Sequence, residues 1–216
     1  MAMRRLKKPL PGRARKGLSL IEVAAGLTVA AIGAAGFAVW QVDAARATKA
    51  NAAGAMMRTV TDAAKYYVLA NRTQINSATT ENGPPIEIVV AKTTAAGTPP
   101  EGSIQATGFL PTSWVDRNPY GHNHRVFIRR LPGGHFEMLV FQSGGQNVER
   151  QSELVRMANA IGQGAGFVPF RNIPGANTTH VTSANGIWSH PRTTWTVSGV
   201  QPQPGRAAAF VTFVNN

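Results

Sequence analysis

The sequence predicts an α+β protein in which a long N-terminal helix and a second, short helix pack on an antiparallel sheet. Three observations support this prediction. An apolar segment near the N-terminus passes directly into a segment with helical periodicity. Strand-like apolar runs joined by glycine- and proline-rich turns follow, and one more amphipathic segment lies among them.

The segment from Leu18 to Trp40 is long and apolar enough to cross a bilayer. Its only polar side chains are those of Ser19, Glu22 and Thr28, and about 20 apolar residues suffice for a membrane helix. Seven basic residues and no acidic residue precede Leu18, so we expect that end to stay cytoplasmic and the rest of the chain to lie outside. A secretory signal peptide has a shorter apolar region, whereas an uncleaved signal anchor remains an alternative.

Two features of this segment point to packing against other helices. Glu22 is a carboxylate in an apolar helix, which costs about 2.5–3.5 kcal/mol on insertion scales and therefore usually has a function and a partner. The segment is also rich in glycine and alanine, and small side chains let helix backbones approach closely within a membrane.

Helical character continues beyond the apolar segment. Between Gln41 and Arg72 there is no proline, and Gly54 is the single glycine. Apolar residues recur there at three- and four-residue spacing, which predicts one buried face; they are Ala53, Met56, Met57, Val60, Ala63, Ala64 and Tyr67. The sequence thus predicts one helix from Leu18 to about Asn71, membrane-like first and amphipathic afterwards.

The remainder predicts a head of strands with one inserted helix. Residues 73–101 are rich in glycine and proline and predict loops around one short strand. The helix is expected over Val148–Ile161, with Leu154, Val155, Ala158 and Ile161 on its apolar face, and Gly162-Gln163-Gly164 ends it. The predicted strands are Ile86–Val90, Arg125–Arg130 and Phe136–Gln142 (a hairpin through Leu131–Gly134), Thr193–Val197 and Ala207–Val214.

Charge and cysteine content exclude several classes of protein. The formal net charge is +12, but much of the excess lies before Leu18, and no basic helix face or aromatic platform follows. We therefore expect no nucleic-acid partner. The chain has no cysteine, which excludes disulfides, zinc thiolate sites and cysteine nucleophiles.

Five side chains are candidates for ligand binding. His122 and His124 could lie on one side of a strand as metal ligands, but no cluster completes the set, so solvated loop histidines and no metal are expected. Trp114, Trp188 and Trp195 could form a sugar-binding surface, although packing in the core or on the sheet is favoured.

Nothing in the sequence predicts catalysis. The Gly-x-Ser-x-Gly nucleophile elbow is absent, and no pair of carboxylates suggests general acid–base chemistry. The glycines after Ile161 follow a helix rather than precede one, so they predict a helix end and not a phosphate site. We expect a protein that is not an enzyme and needs no cofactor.

The residues Gly17, Leu18 and Glu22 resemble the processing site of type IV prepilins, with a long leader and a leucine that fit the type IVb class. The resemblance implies cleavage after Gly17 by a prepilin peptidase, which also N-methylates Leu18. It further implies that Glu22 pairs with the N-terminal amine of a neighbouring subunit.

The predicted head resembles the constant region of shufflon-type minor pilins, which are tip adhesins of thin conjugative pili. The segments that carry this resemblance are Met157–Gly162, Gly164–Val168, Asn118–Gly121, Gly186–Trp188 and Gly205–Phe210.

Together the two resemblances imply a pilin-like fold with a cleaved leader (residues 1–17), a long helix (18–71, with about 18–41 spanning the membrane) and a globular head (72–216). They imply a minor pilin or tip adhesin for cell attachment or conjugative mating contact, first in the inner membrane and then in an extracellular pilus. The implied partners are prepilin peptidase, other pilin subunits and a recipient-cell surface glycan. A major pilin, a type II secretion pseudopilin and a signal-anchored envelope enzyme remain alternatives.

Overall fold

A computed structural model describes residues 20–170 and 176–214 of the chain. The predicted leader and the processing residues Gly17 and Leu18 lie outside the described residues. The chain divides into two units, residues 1–43 and residues 44–216.

One helix, α1 (Leu20–Ala70), includes the whole described part of the first unit. The prediction of a single long helix is confirmed over these residues. An 18-residue window within α1 is long and apolar enough to cross a membrane, and none of that window is buried. Its polar Thr28 hydroxyl donates to the carbonyl oxygen of Ala24 at 2.9 Å, so this group is satisfied within the helix.

In the second unit, α1 buries one face, as its periodicity predicts. The buried residues recur at helical spacing from Ala50 to Val68; they are Ala50, Ala53, Gly54, Met57, Val60, Thr61, Ala63, Ala64 and Val68. Met56 and Tyr67, which were predicted on this face, are only partly buried at its margins.

Over residues 20–170 and 176–214, the sheet has seven antiparallel strands in the order β1-β2-β3-β7-β4-β5-β6. The strand bounds are β1 Ile86–Ile88, β2 Asn123–Arg130, β3 Phe136–Ser143, β4 Ala165–Val168, β5 His180–Ser183, β6 Ser189–Pro191 and β7 Arg206–Phe213. The predicted β2–β3 hairpin is confirmed, with the short 3-10 turn Pro132–Gly134 joining its strands. The last strand in sequence, β7, therefore lies in the middle of the sheet.

Both faces of the central strands are buried, in two separate cores. Alternate residues of β3 point to opposite faces: Met138 and Val140 join the core under α1, whereas Leu139 and Phe141 join a second core. Burial on both faces explains why Phe136–Gln142 is an almost unbroken apolar run. The second core is completed by Trp195 and other side chains from the segment between β4 and β7.

The described part of the second unit contains two more helices, α2 (Arg72–Ala78) and α3 (Gln151–Ile161). Helix α3 begins three residues later than predicted, and Gly162 ends it with a positive φ of 89°. Its buried face contains Leu154, Met157, Ala158 and Ile161, whereas Val155 is 40% exposed, so the placement of Val155 on that face is wrong.

The predicted strand Thr193–Val197 is wrong. Residues Arg192–Trp195 form a 3-10 turn directly after Pro191, and this turn places Trp195 in the second core. Val197 then pairs with Val200 in an isolated bridge across the Ser198-Gly199 turn, where both residues have positive φ.

Candidate functional site

The described part of the first unit is a helical surface of exposed apolar side chains with one acidic residue before Asp43. Glu22 lies in the first described turn of α1. Gly26, Gly33 and Gly36 have no atom within 4 Å of where a Cβ would lie, so the backbone there is open to close approach. The exposed large apolar residues are Leu20, Ile21, Val23, Leu27, Val29, Ile32, Phe37, Val39, Trp40 and Val42.

The second unit anchors its part of α1 with a polar cluster. Arg46 contacts Glu149 at 3.0 Å and reaches Glu153 at 4.0 Å. The Tyr120 hydroxyl donates to the buried Glu153 carboxylate at 2.9 Å, and the Lys49 ammonium lies 4.1 Å from the centre of the Tyr120 ring. Burial, followed by this hydrogen bond, raises the pKa of Tyr120, so the phenol stays protonated and continues to donate.

His122 is fully buried beside this cluster, which contradicts the prediction of a solvated loop histidine. Its ring stacks on Tyr120 at 5.6 Å, and its Nε2 donates to the carbonyl oxygen of Gln146 at 2.5 Å. The side-chain amides of Asn118 and Gln142 lie 3.4 and 3.3 Å from Nδ1. Burial is the main cause that lowers the pKa of His122 to about 4, so the ring is neutral near neutral pH.

His124 is also buried, and the same prediction is wrong for it. Both its backbone N–H and its ring Nδ1 bind the buried carboxylate of Asp116, at 2.9 and 2.5 Å for the shortest contacts. This pair joins the loop before β2 to the first residues of that strand. Among residues 20–170 and 176–214, no group of three or more His, Asp or Glu side chains could hold a metal ion.

The three candidate tryptophans, Trp114, Trp188 and Trp195, do not form a common surface. Trp195 is fully buried in the second core, whereas Trp114 packs against the core under α1. Trp188 is partly buried, with its ring 5.2 Å from that of Phe210. The idea of a sugar-binding surface made by all three is therefore wrong, and the favoured alternative of packing is what the structure shows.

A groove of about 760 Å³ lies at one end of β7. We call it the β7 groove. Its residues come from α1, α3, the start of β4, the β5–β6 turn and the end of β7; they are Lys65, Ala158, Asn159, Gly162–Ala165, Ala184, Asn185, Ile187, Trp188 and Phe210–Thr212.

Sequence reasoning missed the β7 groove, although one signal was present. The sequence pattern assigns Gly164 to a helix end and to a segment of family resemblance, yet a Cβ on it would lie 2.3 Å from the carbonyl oxygen of Phe210. An isolated glycine beside a strand can indicate close approach of another backbone, which is its role here.

No protein-family profile matches this chain, and no curated protein or solved structure is significantly similar to it. The resemblance to prepilins therefore depends on the residues of the chain itself.

Proposed function

We propose that the chain is a type IVb-like prepilin that becomes a filament subunit, most specifically a minor pilin or tip adhesin for attachment or mating contact. Prepilin peptidase removes residues 1–17 by cleavage between Gly17 and Leu18. The subunit resides in the inner membrane with its head outside the cytoplasm, and later in an extracellular pilus beside other pilin subunits.

The observation that carries the proposal is the change of character along α1. From Leu20 to Asp43 the helix exposes apolar side chains, and from Ala50 onward the same helix buries one face in an α+β head. An exposed apolar helix needs an apolar environment, which the membrane provides before assembly and a bundle of like helices provides afterwards.

Glu22 gives this bundle its register in the proposed filament. A carboxylate among apolar helices is costly, and an opposite charge at the right position offsets that cost. Removal of the leader creates an amine at Leu18, and the amine of one subunit meets Glu22 of the next. A subunit in the wrong register leaves both charges without their counterpart.

The adhesin part of the proposal depends on the resemblance of the head to shufflon-type minor pilins. In that family the constant region carries a receptor-binding segment, and the implied ligand is a glycan on the recipient cell. Electron microscopy with antibodies against the head tests this part, since a tip protein labels one filament end and a major pilin labels the shaft.

A filament count tests the assembly step. We expect Glu22→Ala to be produced and processed but to yield few filaments. The matched control is Asp62→Ala, which removes a half-exposed carboxylate from the part of α1 in the head and should leave the count unchanged. Equal filament counts for Glu22→Ala and the unmodified protein would overturn the proposed role.

One rival rests on the same apolar segment, since a signal anchor also has a helix long and apolar enough to cross a membrane. A signal-anchored envelope enzyme retains its leader and forms no fibre. A type II secretion pseudopilin loses the leader but does not form long surface pili, so processing and filament length together separate the three functions.

A further inference from the structure

One edge of β7 is left without a partner strand at its end. On one side β7 pairs with β3 from Ala208 to Phe213. On the other side it pairs with β4 only from Arg206 to Ala209, because β4 begins at Ala165. Within the described part of the chain, no strand continues this second side beyond Ala209.

The backbone groups of Thr212 face this open side. The N–H of Phe210 donates to the carbonyl oxygen of Gly164 at 2.9 Å, so Phe210 directs its backbone groups away from β3. These directions alternate along an antiparallel strand, and the N–H and C=O of Thr212 therefore point the same way. Thr212 is exposed and lines the β7 groove.

The groove has the size and surroundings of a peptide site. Its volume of about 760 Å³ lies within the usual range of ligand pockets, about 300–1,000 Å³. Ile187 on its rim is 80% exposed, and Val214, which follows β7, is 65% exposed. Among the described residues that line the groove, Lys65 alone is charged.

Two kinds of ligand could use such a groove, and the geometry favours a peptide over a sugar. A sugar would need an open aromatic face, but the Trp188 ring packs near Phe210, and a Cβ on Gly166 would lie 2.7 Å from Trp188 Cη2. A strand edge instead supplies a donor and an acceptor at fixed spacing for another backbone, with neighbouring apolar side chains to select residues.

We propose that the β7 groove is a docking site for an extended segment of another protein, which adds as a strand beside Val211–Phe213. The segment is uncharged over the groove, in keeping with its nearly uncharged lining, and it places apolar side chains at alternate positions against Ile187 and Trp188. Unpaired strand edges are normally protected by charges, prolines or bulges, and none of these is found in Val211–Phe213. This inference does not depend on the filament function.

Binding of synthetic peptides to the full chain in detergent tests the proposal. The probe is a fluorescent library of peptides of about seven residues that alternate valine, isoleucine or phenylalanine with threonine. The best binder is then resynthesised with N-methyl groups on alternate residues, in both registers. One register should lower the affinity by about tenfold or more through loss of backbone hydrogen bonds, and the other should have a much smaller effect.

Thr212→Pro removes the N–H that faces the groove while sparing the hydrogen bonds to β3, so the fold should be retained and the affinity should fall by about tenfold. Thr212→Val is the matched control, because it changes the side chain and keeps the N–H. If Thr212→Pro does not fold, the two N-methylated peptides still decide the question.

Three results would overturn the proposal. They are the absence of any binding peptide, equal binding of both N-methylated forms and the unmodified peptide, and unchanged binding by folded Thr212→Pro. Displacement of the peptide by the free oligosaccharides of a recipient surface, with no effect of N-methylation, would identify a glycan site instead.

Discussion

The two parts of helix α1 have similar secondary structure but opposite relations to their surroundings. Between Leu20 and Asp43, large apolar side chains are exposed, and the three glycines have open space around them. Between Ala44 and Ala70, the apolar face is buried in the core under α1, and Gly54 is in close contact with α3. One helix therefore contains a segment whose apolar face packs on the head and a segment whose apolar side chains are exposed.

This difference shows how one helical pattern can serve two purposes. Most helical stability in proteins comes from tertiary packing of one face, and the head provides such packing for the second part. The first part obtains none from the described residues of its own unit. We infer that its stability depends on its environment, which is a membrane or other helices in the proposed function.

The largest expected effect on stability comes from a substitution in the buried part of α1. Met57 is fully buried in the core, and Met57→Ala should lower the free energy of unfolding of the head by about 2–5 kcal/mol through the cavity that it leaves. Chemical denaturation of the full chain in detergent measures this. Ile32→Ala, at a position 69% exposed, is the control; an equal loss from both would show that the two parts do not differ as described.

The glycines provide a second comparison of the two parts. A Cβ on Gly54 would lie 2.5 Å from the carbonyl oxygen of Met157 and 2.7 Å from Cβ of Ala160. Gly54→Ala should therefore separate α1 from α3 and destabilise the head by about 1–3 kcal/mol. The same substitution at Gly33, where the space is open, should leave the denaturation midpoint of the head unchanged. A midpoint that falls only for Gly33→Ala would contradict this account.

We expect the free energy of unfolding of the head to fall at acid pH because of His122. Folding lowers the pKa of this ring from 6.5 to about 4, so the unfolded chain binds its proton first as the pH falls. The contribution of the neutral His122 ring to the free energy of unfolding is therefore fully present above about pH 6.5 and is lost progressively toward pH 4.

Denaturation midpoints between about pH 7 and pH 4.5 measure this loss. Burial also lowers the pKa of His190, so this residue likewise makes the protein less stable as the pH falls. His122→Gln cannot titrate and should show a shallower dependence on pH in this window, even if it is less stable throughout. An identical slope in the variant would exclude His122 as a cause.

The smallest effect is expected from the exposed ion pairs of α1. Arg46 lies 3.0 Å from Glu149, but that carboxylate is 70% exposed, so the pair contributes at most about 1 kcal/mol. Arg46→Ala should lower the free energy of unfolding slightly more than Arg58→Ala does. Arg46 also reaches the buried Glu153. Among the ion pairs of the described residues, Arg58 contacts only the half-exposed Asp62. Denaturation midpoints compare the two, and a larger loss from Arg58→Ala would contradict this ranking.

Local patterns predicted the elements whose side chains alternate regularly. Helical spacing predicted α1, and two strand-like runs joined by the turn Leu131–Gly134 predicted the β2–β3 hairpin. Local patterns gave wrong predictions where contacts between residues distant in the sequence determine the structure. His122 and His124 resembled solvated residues because their partners Gln146 and Asp116 cannot be paired with them from sequence.

The missed elements are short or depend on neighbouring strands. Strand β4 contains Gly166 and only four residues, so it has little strand propensity of its own, and pairing with β7 stabilises it. The Thr193–Val197 segment has the composition of a strand, but burial of Trp195 favours a turn. The β7 groove exists only because β4 ends its pairing at Ala209, a register that no local pattern contains.

The central claim is that the apolar part of α1 is shared with other chains once its basic leader has been removed. The mass of the intact polypeptide, purified from the native membrane and from sheared surface filaments, tests it most directly. The account predicts a chain that begins at Leu18 and carries one N-terminal methyl group, in both fractions. A chain that begins at Met1 and is absent from the filaments would contradict it.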